Sequence, residues 1–196
     1  MRLRHSCVLG SLAVCFAAAV GAWAQDLTLL LDPANTKIEF TLGASLHMVH
    51  GTFALTNGTI HFNPASGSAS GSVVVDVKSG QSGNHMRDRR MHKEILQSEQ
   101  YPVATFTPTR MSGTFSGQGS STIQVDGIFR MHGGDHAITF TLPLQVAGNA
   151  VSFTSRIVIP YEQWGMNNPS SFILRVGNKV DLEIAATGRL IQDGHR

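Results

Sequence analysis

Histidines and one basic run are the places in this 196-residue chain where chemistry could sit. Of nine histidines, His5 falls in an N-terminal leader, which leaves eight. His47-x-x-His50 invites a metal reading, but on a strand a spacing of three sends the two side chains to opposite faces. His132 and His136 flank a glycine turn and form the better-placed pair, without an evident third ligand. Serine and threonine are plentiful, yet there is no G-x-S-x-G elbow, so no serine stands out as an activated nucleophile. The basic run is Arg87-Asp88-Arg89-Arg90, followed by His92 and Lys93. A guanidinium fork at Arg87 or Arg90 suits a phosphate or other anionic head group, with His92 beside them. The competing reading is a solvated helix face. No catalytic residue and no metal ligand is assigned.

The segments that must position these residues read mostly as strands. Ile38, Phe40 and Leu42 alternate with Lys37, Glu39 and Thr41. Val73, Val75 and Val77 repeat the pattern, as do Ile138, Phe140, Leu142 and Leu144, with Pro143 marking an edge or a bend. Val151, Phe153, Ser155, Ile157 and Ile159 follow, then Val180, Leu182, Ile184 and Ala186. Each run has one dry and one wet face, which is antiparallel behaviour. Asn57-Gly58 predicts a tight hairpin. It would pair Phe53 with Phe62 and Leu55 with Ile60 in one apolar patch, with His61 turned the other way. Further turns are expected at 63–71, 113–121, Gly133-Gly134-Asp135 and Gly148-Asn149. One segment differs: Asn84 to Gln100 has helical spacing, with Asn84 as N-cap, Asp88 in the first turn and Arg90–Glu94 at i,i+4. Tyr101-Pro102 is expected to stop it. Tyr161 to Ser171 reads as a loop or a short helical turn.

Eight to ten antiparallel strands and one inserted helix predict an all-β fold, a closed or nearly closed barrel. Such a barrel either fills itself or holds one small ligand. Phe40, Phe53, Leu55, Ile60, Phe62, Val73, Val75, Val77, Phe106, Phe140, Leu142, Phe153 and Ile157 are expected to line its interior.

Residues 1–24 have the three-part layout of a secretory signal peptide: Arg2, Arg4 and His5, an apolar run from Cys7 to Ala22, then Ala22-Trp23-Ala24. Cleavage is expected after Ala24, leaving 25–196 as one domain, periplasmic or secreted. Leu12-Ala13-Val14-Cys15 fits a lipoprotein signal poorly, because Val14 is bulky where a small residue is wanted. Both cysteines, Cys7 and Cys15, would leave with the leader. The remaining chain would lack a disulfide frame, a thiolate metal site and a cysteine nucleophile. Loss of Arg2 and Arg4 takes Lys+Arg from 15 to 13, against 13 Asp+Glu. A formally neutral chain gives no bulk electrostatic reason to bind nucleic acid. An outer-membrane barrel would need aromatic girdles, and the chain has two Trp and two Tyr.

Ser79-x-x-Ser82, then Arg87-Asp88-Arg89-Arg90-Met91, then Tyr101-Pro102 and Phe106 resemble the YceI-like family. Ile38-x-Phe40 before Gly51-Thr52-Phe53, Val125-x-Gly127 before His132-Gly133, Trp164-Gly165-Met166 and Val176-Gly177-Asn178-Lys179-Val180 fall in the family's order, from about Leu31 to Arg189. The resemblance implies a periplasmic, lipocalin-like antiparallel barrel of about eight strands with one inserted α-helix. It implies a binding protein rather than an enzyme, with no cofactor other than a bound lipid. The lipid would be a long amphiphile: a polyisoprenoid, an isoprenoid quinone or a fatty amide. Transient membrane contact and a homodimer are compatible with this. The chain departs from the family pattern where Arg90 replaces the usual histidine of RD-x-H-L, with His92 two residues later. Tyr161 aligns with an arginine, and the histidine expected after the first Phe-containing strand is missing. Burying about 400 Å² of isoprenoid surface would contribute roughly 10 kcal/mol before ordering costs, at ~25 cal/mol per Å². The alternative from another class is a periplasmic metal- or redox-related enzyme using the histidines.

Overall fold

A computed structural model describes residues 26–45, 47–172 and 175–192. The leader with its expected cleavage point lies outside the described residues, as do both cysteines. Nine strands follow in chain order: β1 Leu27–Leu31, β2 Lys37–Ala44, β3 Met48–Phe62, β4 Ala69–Gln81, β5 Val103–Thr114, β6 Gly119–Met131, β7 Gly134–Ala147, β8 Ala150–Ile159 and β9 Val176–Gln192. One helix, α1, runs His85–Arg90 and continues as wider π-type turns over Met91–Leu96.

Nine segments make eight barrel positions. β1 and β2 both lie between β3 and β9, each antiparallel to both. They are one strand position interrupted by a 3-10 turn at Pro33–Asn35, where Asp32 accepts from the Ala34 backbone N–H at 2.9 Å. From β2 the sheet runs through β9, β8, β7, β6, β5 and β4 and closes through β3–β4. Closure buries the edges that an open sheet would present for aggregation.

The expected Asn57-Gly58 hairpin is overturned: both residues lie inside β3. Leu55 pairs with Val75 and Asn57 with Val74, so Thr56 is the extra residue of a β-bulge. A bulge reverses the alternation. Phe53 and Leu55 point inward before it, and Gly58, Ile60 and Phe62 after it. The expected shared face survives, produced by a bulge rather than a turn, and His61 is exposed as expected. Glycine is needed at 58 because a Cβ there would come within 2.6 Å of Leu31 on β1.

The other turns fall in the expected regions, but the one expected at Gly133-Gly134-Asp135 is displaced: Gly134 and Asp135 are already paired in β7. β6–β7 closes through His132-Gly133, both at positive φ, as a type I′ turn requires. β8 pairs with β7 only over Leu144–Ala147, so the two strands part at Pro143. There the Ser155 hydroxyl donates to the Thr141 carbonyl at 3.1 Å. The helix is shorter than expected. Asn84 caps it, accepting from the N–H groups of Met86 and Arg87. It ends at Leu96, with Gln97 left-handed at φ 47°, well before Tyr101-Pro102. Wide turns let the Ser98 N–H bond the His92 carbonyl at 3.0 Å, which closes the helix early.

Candidate ligand-binding cavity

The two ends of the barrel differ. At the β3–β4, β5–β6 and β7–β8 turns the interior is packed solid. Leu27, Ile123, Val146 and Val151 are buried there. Phe62 meets Phe115 edge-on at 5.3 Å. At the other end the helix and the loop residues 160–172 lie across the opening, with Tyr161, Met166 and Pro169 facing the interior. Asn167 donates to the Glu94 carbonyl at 3.0 Å, tying loop to helix. The Arg175 N–H then bonds Ser45 at the β2–β3 turn. Trp164 of this loop stacks flat on His136, with centroids 4.0 Å apart, and packs against Phe129.

Between floor and roof lies a partly open cavity of about 200 Å³. Of the expected lining residues, Phe40, Phe53, Leu55, Ile60, Val73, Val75, Val77, Phe106, Phe140, Leu142, Phe153 and Ile157 surround it. Phe62 does not: β3 carries it past the floor into the packed end, so it is corrected to a core residue. Paired rings stiffen the wall, Phe40 with Phe53 and Phe106 with Phe140, both at 5.4 Å. The wall holds three oxygen-bearing side chains, Thr36, Ser155 and Tyr161, and each hydroxyl is already used. Thr36 donates to the Asp32 carbonyl at 2.7 Å. Ser155 donates to Thr141, and Tyr161 to the Gly177 carbonyl at 2.6 Å. Burial pushes the Tyr161 phenol up to about 12, so it stays protonated. The cavity can take an apolar chain and offers it no free polar partner.

None of the three expected head-group residues lines this cavity. Arg87 folds back on the end of β4, where its Nε donates to Ser82 Oγ at 2.7 Å and its Nη2 to the Ser82 carbonyl at 2.8 Å. Asp88 receives both the N–H and the hydroxyl of Ser82. Arg90 pairs with Glu94 on the exposed face at 2.8 Å. His92 bridges the Gly80 carbonyl and Ser98 Oγ, at 2.7 and 3.1 Å. The basic run is thus a joint between β4 and the helix, with its remaining cations facing water.

His132 and His136 pack on different rings, Tyr101 and Trp164. His50 contacts the Thr41 hydroxyl at 3.0 Å, and His47 precedes β3. Among the described residues no group of three or more His, Cys, Asp or Glu is placed to hold a metal ion.

The YceI-like domain family matches residues 30–188. The chain belongs to this family. Its fold resembles that of BcnA from Burkholderia cenocepacia, with a TM-score of 0.66 at 18% identity, covering 80% of this chain and 98% of that one. A polyisoprenoid-binding domain from Saccharophagus degradans gives 0.61 at 17% identity over 83% and 97%. The YceI protein of Campylobacter jejuni gives 0.52 at 14% over 97% and 95%. No match is found among the curated proteins.

In this YceI-like chain the family's serine and Arg-Asp motifs have visible structural work. Ser79 accepts from the Ala54 N–H at 2.8 Å while donating to the Asp76 carbonyl. Sequence reasoning missed four lining methionines, Met91, Met111, Met131 and Met166. Met91 lies four residues before Ile95 on the helical segment, and both line the wall. Met166 lies in a loop with no periodicity to mark it.

Proposed function

We propose that this protein binds and carries the apolar tail of a long amphiphile, a polyisoprenoid or isoprenoid quinone being the best fit. Delivery would take place in the periplasm, once residues 1–24 are removed. One observation carries the reading: a wall of aliphatic, aromatic and thioether side chains whose only hydroxyls are already hydrogen-bonded. Such a wall rewards removal of hydrocarbon from water and penalises any buried polar group. The solved polyisoprenoid-binding domain of the same fold supports the ligand class. The volume is below the roughly 300–1,000 Å³ usual for ligand sites, so a tail must be slim or must displace side chains. Unbranched, soft methionines are suited to give way. No bond is made or broken in this function.

Native mass spectrometry of protein purified from the periplasm without detergent tests it, followed by organic extraction. A stoichiometric adduct of isoprenoid or long-chain mass is expected. If the protein is empty and also fails to take up added quinones and polyprenyl lipids, the carrier reading is lost. Metal near one equivalent, with a chelator effect, would instead favour the histidine-based enzyme.

A further inference from the structure

We infer that the roofed end of the barrel is a docking surface for an anionic phospholipid bilayer. This rests on the tail-carrying reading, since a water-insoluble tail is best passed directly between membrane and cavity. Six large apolar side chains are exposed among the described residues: Met48, Met86, Val103, Val158, Phe172 and Ile191. Five of them lie at the roofed end; Ile191 alone lies at the closed end. Phe172, in the loop across the opening, is 97% exposed, and Met86, in the first turn of the helix, is 81% exposed. Neither contributes to the core. Met86, Arg89, Arg90 and Lys93 are spaced i, i+3, i+4 and i+7, and all four are exposed. The helix therefore turns Met91, Ile95 and Leu96 toward the cavity and a basic stripe with an apolar tip toward solvent.

Arg89 and Lys93 form no ion pair among the described residues, nor do Arg175 and Lys179 beyond Phe172. Apolar tips set among unpaired cations match an interface of acyl chains beneath anionic head groups. The cations lie outside the cavity and the apolar wall inside it. Attraction to the membrane and capture of the tail are thereby assigned to separate residues.

Co-sedimentation of the purified mature chain with phosphatidylglycerol–phosphatidylethanolamine vesicles, against phosphatidylcholine vesicles, tests the inference. The anionic vesicles should bind about tenfold more tightly, with the difference shrinking as salt rises. Phe172→Ser with Met86→Ser should weaken binding to both vesicle types about tenfold. Arg89→Glu with Lys93→Glu should erase the preference for anionic vesicles. All variants should take up a short polyprenyl alcohol from solution as the unaltered protein does, which separates docking from tail binding. If the unaltered protein ignores both vesicles while still taking up the alcohol, the docking surface is refuted and the carrier reading stands. Vesicle binding with no alcohol uptake would have the opposite meaning. Self-association that Phe172→Ser abolishes, without vesicle binding, would assign the face to a dimer and overturn the proposal.

Discussion

Replacing Arg87 with alanine removes both hydrogen bonds that pin the end of β4 to the start of the helix. It leaves the Ser82 carbonyl and hydroxyl short of a donor. A stability loss of about 1–3 kcal/mol is expected in urea unfolding. Tail affinity in the folded variant should stay within about threefold, because Arg87 is not part of the wall. A large affinity loss in a well-folded variant would restore Arg87 as a head-group ligand. His132 sets a second expectation. Its ring packs on Tyr101 at 4.6 Å, its Nε2 is buried without a partner, and burial lowers its pKa from the ordinary 6.5. The unfolded chain takes up a proton near 6.5 while the folded chain resists it. Stability is therefore complete above that value and falls as pH drops through the lowered folded pKa. The melting temperature should decline between about pH 7 and pH 5. His132→Asn should flatten part of that slope, since asparagine tolerates the positive φ of this turn. An unchanged slope would show that other groups set it. At this scale the apolar residues were legible because alternation marks the dry face. Arg87 was not, because sequence shows a charge and hides the serine it folds back on.

The bulge in β3 shows how one inserted residue governs a whole element. Gly58→Val would push a side chain into Leu31, and a loss of about 1–3 kcal/mol is expected from thermal or urea unfolding. Deleting Thr56 tests the alternation itself: it would turn Ile60 and Phe62 outward and bring His61 inward, so soluble folded protein should not be recovered. Normal yield and melting would mean that the strand can reset its register. Asn-Gly at 57–58 read as a hairpin because that dipeptide is the strongest short turn signal, and nothing local says that Leu31 lies over the glycine. That contact is set by closure of the barrel, between residues 27 positions apart in the chain. The strands of β2, β4, β7, β8 and β9 were legible because each carries its own period of two. The early end of the helix was not, because it depends on His92 reaching Gly80 on β4.

For the whole molecule, a wall without free donors implies indifference to head groups. A polyprenyl alcohol and the phosphate of the same chain should bind within about fivefold of each other in a fluorescence competition assay, since each contributes the same buried hydrocarbon. A preference of a hundredfold for the phosphate would mean that a cation reaches the cavity after all. Closing a barrel was predictable from the five alternating runs within an estimated eight to ten antiparallel strands. Which end stays open was not, because the floor depends on Phe62 meeting Phe115 from a different turn. The four methionines of the wall carry a last implication, in redox terms. A sulfoxide at Met91, Met111, Met131 or Met166 would set a polar S–O group against a surface with no proton to offer it. Under the proposed carrier function, cargo would fill the space through which an oxidant reaches those sulfurs. Their oxidation state would then record how long each molecule had stood empty.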